Sequence, residues 1–79
     1  MAVTLVFLGK LADLAGGERI APSPLDWRVL LDLLEPELAE TVAGDGVKMA
    51  LNGSLLADKT ALVAAEGDEI AFLPPVSGG

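Results

Sequence analysis

The chain has no cysteine, no histidine and no tyrosine, and only one tryptophan and two phenylalanines. Without cysteine there is no disulfide, no thiolate nucleophile and no zinc–thiolate site, and the redox character of the compartment leaves no mark on the sequence. Losing histidine and tyrosine removes two more of the side chains that commonly move protons or attack carbonyl carbons. Basic residues are also scarce, five against twelve acidic ones, for a formal net charge of -7. Such a field repels phosphate backbones and anionic bilayers, so nucleic acid and membrane are not expected partners. A basic protein surface fits the charge, and so does simple solvation of a small apolar domain. The start, Met1-Ala2-Val3-Thr4, lacks a basic n-region. No apolar run approaches the roughly 20 residues that span a bilayer. A cytoplasmic location is the expectation.

What is present describes one small folded domain. Seventy-nine residues leave no room for a second core, and 52% hydrophobic with 22% charged residues and no like-charge block argues against disorder. Residues 1–73 are expected to form the domain and residues 74–79 a projecting tail. Glu35, Glu37, Glu40 and the Gly44-Asp45-Gly46 turn gather carboxylates, yet their spacing matches no calcium loop, and no metal site is expected.

In chain order, Val3 to Leu8 is rich in β-branched and aromatic residues and apolar at nearly every position, which predicts a central strand buried on both faces. Lys10 to Ala15 predicts a short helix stopped by Gly16-Gly17, and Glu18 to Ala21 a short strand antiparallel to the first. Ser23 as N-cap with Pro24 at the first helical position predicts the main helix, with Trp27, Leu30, Leu31 and Leu34 on its core face and Val29 and Leu33 widening it. Pro36 opens a second helical piece through Ala43, with Leu38 and Val42 inward. Val47 to Leu51, Asn52-Gly53 and Ser54 to Leu56 read as a hairpin, Leu62 and Val63 as anchors of the following loop, and Glu69 to Leu73 as the last strand with Ile70 and Phe72 on one face. No Walker loop, dinucleotide fingerprint or nucleophile elbow is present.

The last strand runs directly into Pro74-Pro75-Val76-Ser77-Gly78-Gly79. Each proline fixes φ and lacks a backbone donor, so the pair stiffens the exit and keeps it out of the ladder. Six extended residues reach up to about 20 Å. Gly78 and Gly79 carry no Cβ, so the end of the chain can enter a channel too narrow for a side chain, and its distinctive group is the Gly79 carboxylate. Taken alone, the pair is equally compatible with a frayed terminus.

The order of elements followed by Gly-Gly resembles the α+β, ubiquitin-like β-grasp fold, a mixed sheet packed on one main helix with short extra helices. More closely, the chain resembles the small, sulfur-carrying subunit of molybdopterin synthase, through Phe7-Leu8-Gly9-Lys10-Leu11-Ala12-Asp13-Leu14-Ala15-Gly16, through Leu51-Asn52-Gly53 and above all through Gly67-Asp68-Glu69-Ile70-Ala71-Phe72-Leu73-Pro74-Pro75-Val76-Ser77-Gly78-Gly79. Many members carry arginine where this chain has Ala12. The thiamine-pathway sulfur carrier shares the fold and the Gly-Gly end but is usually shorter around residues 36–46.

That resemblance implies a chemistry. An E1-like adenylating enzyme would use ATP to activate Gly79, and persulfide sulfur would displace AMP to leave a thiocarboxylate. The large subunit, expected to form a heterotetramer with this chain, would pass that sulfur to cyclic pyranopterin monophosphate. In this reading the chain holds no permanent cofactor and no active site of its own. Gly78 provides clearance, Pro74 and Pro75 direct the tail, and Phe72, Leu73 and Val76, with the open side of the sheet, are candidates for docking to the partner. A carrier for thiamine, cysteine or tRNA thiolation, a protein modifier joined to lysines, and a plain interaction module remain alternatives.

Overall fold

The structure, a computed structural model, describes residues 2–75. Strands β1 (Ala2–Phe7), β2 (Arg19–Pro22), β4 (Lys48–Leu51), β5 (Ser54–Leu55) and β7 (Glu69–Leu73) form one sheet in the order β2-β1-β7-β4-β5. β1 and β7 run parallel, and the other neighbours are antiparallel. β3 (Leu25–Asp26) and β6 (Val63–Ala64) pair in a separate two-stranded ribbon. α1 (Lys10–Ala15) follows β1, while α2 (Trp27–Leu33) and α3 (Pro36–Ala43) supply the helical layer, and a single 3-10 turn spans Lys59–Ala61.

One face of the sheet is covered and the other is open. Val3, Leu5, Phe7, Met49, Ile70 and Phe72 point inward against Leu30, Leu34, Leu38 and Val42 of the helical side, all buried. Phe7 and Phe72 stack across the parallel pair with centroids 4.4 Å apart and planes 7° from parallel. β1 is therefore inside the sheet as expected, but it is not buried on both faces. Thr4 and Val6 on its other side are only half-buried, because no second helical layer covers them and alternate residues of a strand face opposite ways.

Some local expectations are corrected. The main helix does not begin at Ser23-Pro24, whose peptide bond is cis. Leu25 and Asp26 pair first with Ala64 and Val63, and Asp26 becomes the N-cap, its carboxylate accepting from the Val29 amide at 2.9 Å. Val29 and Leu33, at the margin of the stripe that buries Leu30 and Leu34, face solvent, and Trp27 is half-buried against the core. The second helical piece is separate, as expected: Leu34 and Glu35 are extended, with ψ of 149° at both. A residue before proline is pushed out of the helical region, so Pro36 starts α3 as a separate and slightly longer helix. In the loop after the hairpin, Leu62 anchors the core as expected, whereas Val63 is 69% exposed. The hairpin turn itself is as read: Asn52 and Gly53 both have positive φ, 50° and 86°, the geometry that matches strand twist.

Candidate functional site

The candidate site is the root of the C-terminal segment, and the register of the sheet builds it. β7 is the middle strand, with Phe72 beside Phe7 on the parallel side and Leu73 beside Lys48 on the antiparallel side. The Leu8 amide still donates to the Phe72 carbonyl at 3.0 Å. Continuing both ladders brings Gly9 alongside Pro74 and Gly46 alongside Pro75. Neither proline can donate to a neighbour, so β7 ends at Leu73, with Pro74 and Pro75 between the ends of two flanking strands.

Both flanking positions are glycine, and the space shows why. A Cβ on Gly9 would lie 2.9 Å from Cγ of Pro74, and one on Gly46 would lie 3.1 Å from Cβ and 3.2 Å from Cγ of Pro75. Gly9 also has φ 56° and ψ -133°, a conformation that side chains other than glycine rarely adopt. Pro74 is half-buried and Pro75 exposed.

The loop that carries Gly46 is held from below. Lys59 Nζ donates to the carbonyls of Val42 and Val47 at 2.8 Å each and to that of Gly44. One ammonium thus uses its three donors on the end of α3 and on both sides of the Gly44–Val47 turn. Burial pulls the Lys59 pKa below the ordinary lysine range, and Asp45 pulls it back upward.

Beside the root lies a hollow of about 510 Å3 lined by Gly9, Lys10, Leu11, Leu14, Thr41, Pro74 and Pro75. The open face of the sheet is a second surface. Register puts Val6, Ala71, Ala50 and Leu55 in one row and Leu73 with Lys48 in the next, all opposite to the core side. Leu73 is half-buried there and Leu55 is 67% exposed.

The residues proposed from the sequence are thus sorted. Pro74 and Pro75 sit at the exit, and Leu73 lies on the open face. Phe72 is 0% exposed and is removed from the docking set, because its position in the alternation turns it inward onto Phe7. Val76, Gly78 and Gly79 lie outside the described residues. Ala12 is half-buried against the core on α1. Gly9, Gly46 and Lys59 were missed. The two glycines were legible only once the strands are aligned, and a lone lysine in a polar loop carries no local signal. Among the described residues no three Asp, Glu, His or Cys side chains gather to hold a metal, and no helix is long and apolar enough to cross a membrane.

The model of the ThiS family matches residues 5–79, nearly the whole chain. The chain belongs to the ThiS family. No curated protein matches it significantly, but solved structures do. This ThiS-family chain is similar to small archaeal modifier protein 1 from Methanosarcina acetivorans, with 26% identity over 99% of this chain and 96% of the other and a TM-score of 0.78. It is similar to SAMP1 from Haloferax volcanii, with 28% identity over 100% of both chains and a TM-score of 0.71. It also matches a chain of the complex of subunits 1 and 2 of the molybdopterin-converting factor from Helicobacter pylori 26695, with 25% identity over 100% of both chains and a TM-score of 0.70. The ThiS-family chain is therefore a β-grasp protein with the fold of a sulfur carrier.

Proposed function

We propose that the chain delivers sulfur for molybdopterin formation through the carboxyl group of Gly79. What supports this most is the end-to-end correspondence with a chain of the Helicobacter pylori complex of molybdopterin-converting factor subunits 1 and 2, together with a central strand that stops at Leu73 and is followed by Pro74 and the exposed Pro75.

The carboxylate is a poor electrophile, so the first step belongs to an E1-like adenylating partner. The Gly79 carboxylate attacks the α-phosphorus of ATP, pyrophosphate leaves, and an acyl-adenylate forms. The terminal sulfur of a persulfide then displaces AMP, and a second thiol cleaves the sulfur–sulfur bond to leave the thiocarboxylate. Its sulfur is the better nucleophile of the two heteroatoms; in the large subunit it attacks cyclic pyranopterin monophosphate, and water then cleaves the resulting thioester, leaving sulfur on the pterin and returning the Gly79 carboxylate. Pro74 and Pro75 direct the tail, Gly78 leaves it narrow, and the row around Leu73 on the open face meets the large subunit. The chain itself supplies no nucleophile that would intercept the activated acyl group as a thiol or imidazole would, since it has neither. A cytoplasmic setting, where ATP is at hand, is part of this proposal.

The experiment is intact-mass analysis of the chain expressed in its own cells, alone and with Gly79→Val. A mass increase equal to one oxygen-to-sulfur exchange at the C-terminus, absent in the variant, supports a carrier, and co-purification with a large subunit assigns the molybdopterin branch. The likeness to the archaeal modifiers favours one other reading, in which Gly79 is joined to lysines. Branched Gly-Gly remnants on other proteins, with no thiocarboxylate, would replace our reading by that one.

A further inference from the structure

We infer that Gly46 and Gly9 form a clasp that sets the direction in which the tail leaves, and that Gly46 in particular is a positioning residue for delivery of the C-terminus. The functional consequence rests on the carrier reading above. The clasp itself does not.

The geometry has three parts. Pro74 meets Gly9 on one side of the central strand, where a methyl group would clash at 2.9 Å, and Pro75 meets Gly46 on the other, where a methyl at 3.1 Å would push the ring by a few tenths of an ångström. The Gly46 side is not a loose loop, because Lys59 ties Val42, Gly44 and Val47 to one ammonium. The four residues after Pro75 extend at most about 13 Å, so a small rotation at this root displaces the reacting carbon by considerably more than it displaces the proline. Gly46 is not among the glycines with positive φ, so alanine fits its backbone and the added methyl acts on Pro75 alone. Gly9 lacks that property, which makes Gly46 the position to test.

Two measurements follow. The absence of cysteine lets Ser77→Cys carry a single nitroxide, and its paramagnetic broadening of backbone amides maps where the tail points in the free protein. Gly46→Ala and Gly46→Val are expected to move the set of broadened amides, Val further than Ala, with the melting temperature held within about 2 °C for Ala. Unchanged broadening would overturn the clasp whatever the protein's function. The second measurement is ATP–pyrophosphate exchange with the E1-like adenylating enzyme from the same source. Gly46→Ala should lower kcat about fivefold and leave KM unchanged, because the methyl alters only the root of the tail and no other surface of the domain, while a shift of a few tenths of an ångström misplaces the carboxylate. In a Pro75→Gly background, where the atoms that meet the methyl are gone, the same change should cost less than about twofold. Equal loss in both backgrounds would refute steric positioning. If the unmodified chain supports no exchange at all, the carrier reading fails and the broadening experiment still decides the clasp.

Discussion

Replacing Phe72 by leucine separates a core role from a docking role. The side chain is 0% exposed, sits in the middle strand between Phe7 and Met49, and stacks on Phe7 at 4.4 Å. Truncating a buried phenylalanine to alanine costs about 3–5 kcal/mol. Leucine keeps much of the volume but loses the aromatic pair, itself about 0.5–1.5 kcal/mol, and leaves a small void, so about 1–2 kcal/mol is expected. Small domains have only about 0.05–0.15 kcal/mol of stability per residue, so this is a sizeable fraction of the total. With a urea m-value of about 1 kcal/mol/M for a chain of this size, the midpoint should fall by about 1–2 M at unchanged slope. Trp27, the single tryptophan and half-buried against the core, is the natural fluorescence reporter. An unchanged midpoint combined with lost affinity for the large subunit would show that the ring faces a partner and would refute the inward assignment.

Other outcomes follow from single contacts. Leu73→Ala, on the open face, should leave the urea midpoint within about 0.5 M and weaken capture of the large subunit, checked by titration calorimetry. The Glu35 carboxyl is lowered from 4.5 to about 2, first by its hydrogen bonds from Arg19 at 2.7 and 2.8 Å. A depressed carboxylate stabilises the fold above its unfolded value and loses that contribution as pH falls from about 4.5 through about 2. Glu35→Gln should therefore flatten the melting temperature against pH in that window, only in part, since Asp58 and Asp68 are lowered too. Asn52→Gly keeps the positive φ of the turn but loses the bonds to Asp68 and to the Glu69 amide, at 3.0 and 2.9 Å. About 1 kcal/mol is expected, read as a drop of about 4–8 °C. Lys59→Met removes the ammonium from the part-buried Val42 and Val47 carbonyls, whereas the exposed Gly44 carbonyl keeps the Val47 amide, and hydrogen exchange should quicken around the Gly44–Val47 turn with a loss of about 1–3 kcal/mol.

Much of the fold was legible because its signals are local. The apolar run of β1, the Gly16 stop after α1, the Asn52-Gly53 turn, Pro36 opening α3 and the alternation of Ile70 and Phe72 each act over a few residues, and each stands where the sequence implies. Ser23-Pro24 misled because an equally good cap, Asp26, follows three positions later, and the choice was made by pairing of Leu25 and Asp26 with Val63 and Ala64. That pairing joins distant parts of the chain and leaves no mark near Ser23. Val29 and Leu33 lie about 100° round the helix from the buried Leu30 and Leu34, at the margin of the stripe, and so face outward. The site was half legible for a similar reason. Pro74 and Pro75 announce themselves, but Gly9 and Gly46 acquire meaning only when strand register lays them against those rings, and Lys59 only when the turn it holds is folded.

Three consecutive positions of β7 and its exit carry three different tasks, and the two-residue period of a strand is what keeps them apart. Phe72 faces in and joins the sheet to the helices, Leu73 faces out onto the open surface, and Pro74 begins the departure. A slip of one residue against β1 and β4 would exchange the first two at once and bring Pro74 and Pro75 against Leu8 or Lys10 and against Val47 or Asp45 instead of glycine. The Phe7–Phe72 stack opposes that slip, because moving either ring by one position takes it out of the core. Stability of the core and aim of the tail are therefore one constraint in this chain: the aromatic pair that holds the register also decides which neighbours the prolines meet.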